Sequence, residues 1–571
     1  MKNDLWFPVS LGATAGAVEA ALRSGGSHGW SAGQSAAFVV LSVGLSVGVA
    51  LGLAGVARVF ADPTSRRRAV AGALFGAVAA VAWRYEFALN ERVVDPRVWA
   101  GVPAAFVAGA ALGAVVAPRL SGPRLGVVTL IALGVAGFRS RQAHGLASSP
   151  DHPNVLVISL DTVRADHVGG KPTWVRLAAE GSHFTQAIAA APITEPSHLA
   201  MFTGIAPFRS GLVSNGTHLG DRALVWKEFR AAGYVVGGFV AGFPLHGKYG
   251  WSQGTDVWDD DFGAWPGAQS LTWVKAWNQV ALKEHAIRER SAAGVVKRAG
   301  AWLAAHRGER FFAFVHFYDA HGPYVSAMAE PPPTDGAALA LPRYWPEAAR
   351  AVTSVEWLKR AYDAEVATAD AAMGQVIASL GDALDHTIVV VTADHGESLG
   401  EHGVLFDHGD DLYDPSLRVP LLVRWPGHVR AGASLDCQVG GVDLAPTLRE
   451  LAGLPNAPGG DGISRAQELR EGGCRAVPVV SSTTSGRFVE APPVDHALRG
   501  LGTKLILKPS GAVEHYQLDT DPGELRSVSP PDGQVAAFLS LLAGGASVAS
   551  PAADEETRRA LEALGYVEVS P

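Results

Sequence analysis

Three stretches of this sequence end in side chains able to hold a divalent metal. "NVLVISL" (154–160) runs into Asp161, "HTIVVVTADHG" delivers Asp394 and His395, and "FFAFVHFYDAHG" delivers Asp319 and His321. Carboxylate and imidazole together suit a divalent transition metal. A single aspartate after a strand is ordinarily a turn or cap residue; three strands ending alike shift the balance toward a site. A fourth stretch, "APITEPSHLAMFTG", places Thr194 ahead of Glu195, Pro196, Ser197 and an apolar run. This is a helix-start signal, because a threonine hydroxyl accepts an orphan backbone N–H. The same hydroxyl at a helix N-terminus, where free N–H groups draw anions, is also placed for nucleophilic attack. Local sequence leaves cap and nucleophile both open.

The elements that must position these residues are legible as an α/β pattern. Each metal-type residue follows a β-branched or aromatic apolar run of buried-strand length. Between two of these runs, Leu358, Tyr362, Val366, Ala369, Met373, Ile377 and Leu380 recur every three or four residues and mark a helix. Such alternation predicts a mainly parallel sheet covered on both faces, with polar groups collecting at the carboxyl ends of the strands, where ligands bind.

Composition limits the function. A net charge of -8 and a pI near 6.2 give no basic stripe, so no nucleic-acid partner is expected. The two cysteines, Cys437 and Cys474, lie far apart in sequence and encode neither a disulfide framework nor a CxxC metal knuckle. The mean hydropathy of +0.15 comes largely from the first quarter of the chain. Ser35 to Ala57 is an uncharged run of about 23 residues and Val98 to Pro118 one of about 21, each enough to cross a hydrocarbon layer ~30 Å thick. Shorter runs begin at Leu5, Ala69 and Leu125 and bring the expected number of spans to about five. Arg66, Arg67 and Arg68, and then Arg119 with Arg124, form basic loops that should face the cytoplasm; the region after residue 140 is then extracytoplasmic. Glu19 is nearly alone among ionisable residues in the spans, so these read as an anchor in the bilayer rather than a transport pathway.

In order and spacing, "NVLVISLDTVRADHVGG", "TEPSHLAMFTG", "FVHFYDAHGPY", "AYDAEVATADAAMG", "TADHGESLGEHGVLFDHG", "YDPSLRVPLLVRWPG" and "VDLAPTLRELAGL" resemble the sulfatase family of the alkaline-phosphatase superfamily. The likeness runs from Asn154 to about Glu524, with "EHYQLDTDPGE" similar to the family's small C-terminal subdomain. It implies one divalent metal held by Asp161, Asp394 and His395, with Thr194 in the nucleophile position. His321 and His408 would be donors to ester oxygens, His408 standing where the family has a lysine. Asn215 is a weaker match, and Arg164 and Asp166 would brace the first metal loop. The implied organisation is a transmembrane bundle over 1–140, a linker at 141–153 and a catalytic domain at 154–460. A subdomain with antiparallel strands follows at 461–530, then a tail with a short helix at 531–571.

The chain departs from the family pattern twice. Sulfatases read C/S-x-P-S-R and oxidise the Cys or Ser to formylglycine; Thr194 would give a ketone, so only direct alkoxide attack remains, and His198 replaces the arginine. Thr162 stands where many sulfatases carry a further metal aspartate, which leaves a donor set favouring Mn²⁺ or Zn²⁺ over Ca²⁺. The expected substrate is an anionic ester. A phosphoryl ester, lipid- or glycan-linked, suits a threonine; a sulfate ester cleaved without formylglycine and a non-catalytic binding protein are the rival readings.

Overall fold

The computed structural model of the chain describes residues 146, 149, 152–260, 262 and 289–543, except 325–327, 329, 343, 344, 346, 456, 458 and 485–493. The spans expected within 1–140 and most of the linker lie outside the described residues. Among the described residues, no helix is long and apolar enough to cross a membrane.

In chain order the strands are β1 (Asn154–Leu160), β2 (Ser182–Ile188), β3 (Val235–Phe239), β4 (Val257–Asp259), β5 (Phe311–Phe317) and β6 (Thr387–Thr392). A short hairpin of β7 (Ser398–Leu399) and β8 (Leu405–Asp407) follows, then β9 (Arg418–Arg424) and β10 (Ala433–Gly440). Eight of them form one sheet in the order β10-β2-β9-β6-β1-β5-β3-β4, parallel except for β9, which runs against both its neighbours. The runs that were apolar throughout became the central strands: β1, β5 and β6 are buried from end to end, as strands covered on both faces must be.

Helices α1 (Pro172–Glu180), α4 (Ala292–Ala305) and α5 (Val355–Ala378) pack as one group; α2 (Thr194–Thr203), α3 (Val225–Ala231) and α6 (Leu444–Leu451) pack as another. Alternation along β5 divides its side chains between them. Phe312 and Phe314 stack toward Trp226 of α3, and Phe314 toward Phe202 of α2, while Phe311 meets Trp302 of α4. By the same period of two, His316 falls on the α2 face.

A second sheet, β11 (Val479–Thr483), β12 (Asp495–Arg499), β13 (Thr503–Leu507) and β14 (Val513–Gln517), is antiparallel throughout. A helix, α7 (Gln534–Ala543), follows it within the stretch expected as a tail; Phe538 is its anchor, packed on Leu505 and Leu507. The charged helix expected further on, "DEETRRALEALGYVEV", lies outside the described residues.

The structure corrects the reading of the cysteines. Cys437 of β10 and Cys474 form a disulfide, with Cα atoms 5.2 Å apart. Sequence distance was misleading because the 37-residue excursion between them returns to the edge strand β10.

Candidate active site

The middle of the sheet delivers the chemistry. β1 lies between β5 and β6, in register such that Ser159 sits beside both His316 and Thr392. The backbone N–H of Asp161 still donates to Phe317 at 2.9 Å, so the ladder carries this residue to the strand end without slack. Asp161, Asp394 and His395 therefore meet at adjacent carboxyl ends, all fully buried.

Their hydrogen bonds divide each side chain into a held half and an open half. Asp161 Oδ2 accepts from His316 Nε2 at 3.1 Å. Asp394 Oδ1 accepts the backbone N–H groups of His395 at 2.9 Å and Thr162 at 3.3 Å. His395 Nδ1 donates to the Gly396 carbonyl at 2.9 Å, which turns the lone pair of Nε2 away from the backbone. The remaining atoms, Asp161 Oδ1, Asp394 Oδ2 and His395 Nε2, are buried without hydrogen-bond partners. His395 Nε2 lies 3.5 Å from Asp394 Oδ2 and 4.0 Å from Asp161 Oδ1, too far for good hydrogen bonds and suited to ligands sharing one ion. Buried polar atoms are ordinarily paired. Three orphans facing one point fit a divalent cation. Burial, outweighing the attraction of His395, pushes the Asp161 carboxyl up to about 7, so the ion-free site resists holding its negative charge.

A second set of potential ligands, His198, His316 and Asp394, also converges. Its histidines are already committed. His198 Nδ1 donates to the Thr194 carbonyl at 2.8 Å, so its Nε2 accepts from Ser159 Oγ at 3.0 Å. His316 Nε2 holds Asp161. Burial drives His198 down to about 3 and His316 to about 4, so both braces are neutral near pH 7. His198 thus orients the nucleophile loop, whereas His316 has no counterpart among the residues singled out from sequence. Its signal was parity: in a buried strand read at period two, residue 316 shares a face with Phe312 and Phe314 and points at α2.

Thr194 is fully buried and is the first residue of α2. The expectation that it caps the helix is corrected: Ile193 occupies the N-cap position, and the Glu195 N–H is taken instead by Asn215 Oδ1 at 2.8 Å. An amide from a distant loop does this part of the capping. Glu195, also buried, ties this loop down by accepting the N–H groups of Gly216 and Thr217 and the Trp251 indole. His198 links Thr194 to the metal-type trio, since its Nδ1 is 2.8 Å from the Thr194 carbonyl and 3.6 Å from Asp394 Oδ2. Ser197 Oγ adds a bond of 2.5 Å to the Asp394 carbonyl.

His321 and His408 complete a buried imidazole cluster. The His408 ring is centred 4.4 Å from His395 and 5.0 Å from His321, which stacks on Tyr318. His321 Nδ1 donates to the Gly322 carbonyl at 2.9 Å, leaving Nε2 a proton acceptor in the neutral ring, and burial holds its pKa well below the usual value. His408 Nδ1 lies 3.1 Å from Glu397 Oε1, and burial brings the ring down to about 4. Burial also pushes Glu397 up to about 8.

Other sequence candidates fall outside this cluster. Asp319 accepts from Ala292 N at 2.9 Å, at the start of α4. Arg164 bonds Asp166, Glu401 and the Glu397 carbonyl, and so braces the loops around the trio. Thr162 adopts φ 58°, a strained conformation for a β-branched residue. Its hydroxyl faces the carbonyls of Asp161 and Ala320, not the trio. His402 stacks on Tyr413 at 3.6 Å. Gly396 is required where it stands, because a Cβ would collide with the Pro415 carbonyl.

Comparison with known proteins places this geometry. Residues 153–454, just over half of the 571-residue chain, match the family described as Sulfatase. The uncharacterized sulfatase YidJ of Escherichia coli (strain K12) is 28% identical over 361 residues, covering 56% of this chain and 72% of that protein. The phosphonate monoester hydrolase of Agrobacterium radiobacter is similar in structure, with a TM-score of 0.53 at 21% identity over 68% of this chain and 94% of the other. A protein solved in complex with D-glucosamine-2-N,6-O-disulfate gives a TM-score of 0.54 at 19% identity, over 69% and 97%. At these identities the two solved structures share the fold.

Proposed function

Because the chain belongs to the sulfatase family and is a hydrolase-type enzyme of the alkaline-phosphatase superfamily, we propose that it hydrolyses or transfers an anionic phosphoryl ester through Thr194. The observation that carries the proposal is the trio of orphaned ligand atoms held one imidazole away from the first residue of α2.

Family enzymes use a divalent metal, and Asp161, Asp394 and His395 are the residues that would hold it. Two carboxylates and an imidazole favour Mn²⁺ or Zn²⁺ over Ca²⁺. When bound, the ion acidifies a nearby hydroxyl and offsets the negative charge of the ester.

The chain's own residues do the rest. The positive end of the α2 dipole receives the anionic group. Thr194 Oγ1 gives its proton to the imidazole pair His321–His408 and attacks phosphorus. The bond from phosphorus to the leaving oxygen breaks, and that oxygen takes the proton. A water or alcohol then attacks the phosphoryl-threonine; its proton passes through the imidazoles to Thr194 Oγ1 as the P–O bond to Thr194 breaks, which restores the free hydroxyl. Burial of all five histidines keeps bulk water from competing for this proton.

Phosphorus is favoured over sulfur because of the nucleophile. A formylglycine hydrate expels sulfate by breaking its own C–O bond, and a threonine has no such route, whereas phosphoryl-threonine can be attacked at phosphorus. The structural neighbour that acts on phosphonate monoesters supports this reading. Sulfate ester cleavage is the second reading, supported by the neighbour bound to a disulfated sugar. The charge-free runs over residues 35–57 and 98–118 support a multi-pass membrane protein with an extracytoplasmic catalytic domain and a lipid- or glycan-linked substrate. The Cys437–Cys474 disulfide supports an oxidising compartment.

Parallel turnover of bis(p-nitrophenyl) phosphate and p-nitrophenyl sulfate ranks the two readings. The expected result is turnover of the diester and an intact-mass adduct of one p-nitrophenylphosphoryl group on the wild type, absent from Thr194→Ala. Full activity in Thr194→Ala would remove the nucleophile from the scheme.

A further inference from the structure

Glu397 is the buried carboxyl that the scheme above leaves without a task. It is fully buried two residues beyond His395, and its side chain is hydrogen-bonded to a phenol and an imidazole. Tyr324 donates to Oε2 at 2.7 Å, and His408 Nδ1 lies 3.1 Å from Oε1. Its backbone carbonyl is fixed separately by Arg164 Nη1 at 3.2 Å. A carboxyl buried without a direct salt bridge to Arg or Lys is unfavourable, and an apolar side chain of similar volume would pack there at lower free energy. Holding the loop is already the work of Arg164. The carboxylate has another role.

The partner explains it. An imidazole engaged at Nδ1 presents Nε2 on the opposite edge of the ring, and one hydrogen bond to a fixed carboxylate sets both the ring's rotation and which nitrogen faces outward. His408 packs beside His395 and His321, so a small rotation would change which atom reaches a group bound at the trio.

We propose that Glu397, clamped by Tyr324, is the positioning residue for His408 and fixes its ring so that Nε2, not Nδ1, contacts the non-bridging or leaving oxygen of the bound ester. The inference rests on the ester reading above, but it concerns the geometry of the site and holds for phosphorus or sulfur alike.

Vanadate, which mimics the five-coordinate state of either ester, is the probe, with binding to the metal-loaded full chain read by tryptophan fluorescence. Glu397→Met and His408→Ala should each weaken vanadate by about tenfold or more. The double variant should be no weaker than the poorer single, because both lose one interaction. Glu397→Gln, whose amide oxygen can still accept from Nδ1, should return to within about threefold of wild type. Losses that multiply in the double variant, a Glu397→Gln as weak as Glu397→Met, or no vanadate binding by the wild type would each overturn the proposal. If Glu397→Met does not fold, Tyr324→Phe replaces it: its smaller loss should vanish in the His408→Ala background, and a loss that persists there overturns the proposal equally. A wild type that binds vanadate with this pattern yet turns over neither aryl ester would sink the ester-transfer reading and leave the positioning role standing.

Discussion

The chain buries two clusters of ionisable side chains and finishes them in opposite ways. In the first, Asp414 is held by Arg499 at 2.9 Å and Lys504 at 2.5 Å, and Lys504 reaches Glu524 at 2.7 Å. This cluster ties β12 and β13 of the second sheet to the segment before β9, and its two cations hold the Asp414 carboxyl well below the usual range despite burial. In the second, the partners of Asp161 and Asp394 are imidazoles and backbone N–H groups, and one oxygen of each has no partner at all. Isolated buried charge is unfavourable by several kcal/mol per ion. A cluster that closes on itself is structure; a cluster left open at three converging atoms is a receptor for a cation. Burial alone does not separate the two. Pairing does.

Breaking one cluster should therefore leave the other's property intact. The largest effect is expected from Asp394→Asn, which should lower turnover roughly a thousandfold while leaving metal-free thermal stability equal to wild type or higher, since a buried carboxylate is removed. Lys504→Met should do the reverse. It leaves Glu524 without its cation and Asp414 with Arg499 alone, and should lower stability by about 3 kcal/mol, with turnover per folded molecule unchanged. Steady-state kinetics and urea unfolding of the two variants side by side check the contrast. An Asp394→Asn that unfolds, or a Lys504→Met that folds normally but is inactive, would mean that the division is drawn in the wrong place.

How much of this was legible depended on whether a signal is local in sequence. Asp161, Asp394 and His395 were visible because a buried strand is a continuous apolar run, and a polar residue at its end marks the exit from the sheet. Thr194 was visible as a helix start, but the capping role read from it was not borne out, because the group that takes the Glu195 N–H comes from Asn215, on a separate loop. Strand ends were also misleading in one case. In "FFAFVHFYDAHG" they drew attention to Asp319, which bonds the first turn of α4, while the residue that holds Asp161 is His316, inside the strand. Nothing in the spacing pairs Glu397 with His408 or Cys437 with Cys474. The first pairing is made by the β7–β8 hairpin, where Ser398 stands opposite Asp407, and the second by the excursion that brings Cys474 back to β10; both are explicit only once the chain has folded.

The disulfide sharpens the comparison further, because it lies on the structural side. Cys437 is next to Gln438, whose side chain bonds Arg499 of the closed cluster. Replacing both cysteines by serine should lower stability by about 4 kcal/mol, as expected for a loop of this length, without changing turnover. The effect should disappear when wild type and variant are compared in reductant. Stability loss that persists in reductant would assign it to packing instead of the crosslink.

The smallest effect concerns pH and separates the clusters by sign. In the metal-free protein Asp161 is raised from 3.8 to about 7 and Glu397 from 4.5 to about 8, both chiefly by burial. The folded state then holds protons that the unfolded chain has already lost, so stability falls as pH rises toward the folded values. Histidines 198, 316 and 408 run the other way. Lowered from 6.5 to between about 3 and 4, they add stability as pH rises through 6.5 and level off about one unit above it. From pH 6.5 to 8 the carboxyl losses outweigh this remainder, and unfolding in EDTA should show stability dropping by roughly 1 kcal/mol by pH 8. Added Mn²⁺ or Zn²⁺ should shrink the drop, because a bound cation lets Asp161 ionise in the folded state. Asp414, already ionised and paired, contributes no slope in this window. A metal-free protein whose stability rises across it would mean that the open cluster is neutralised by some group other than a metal.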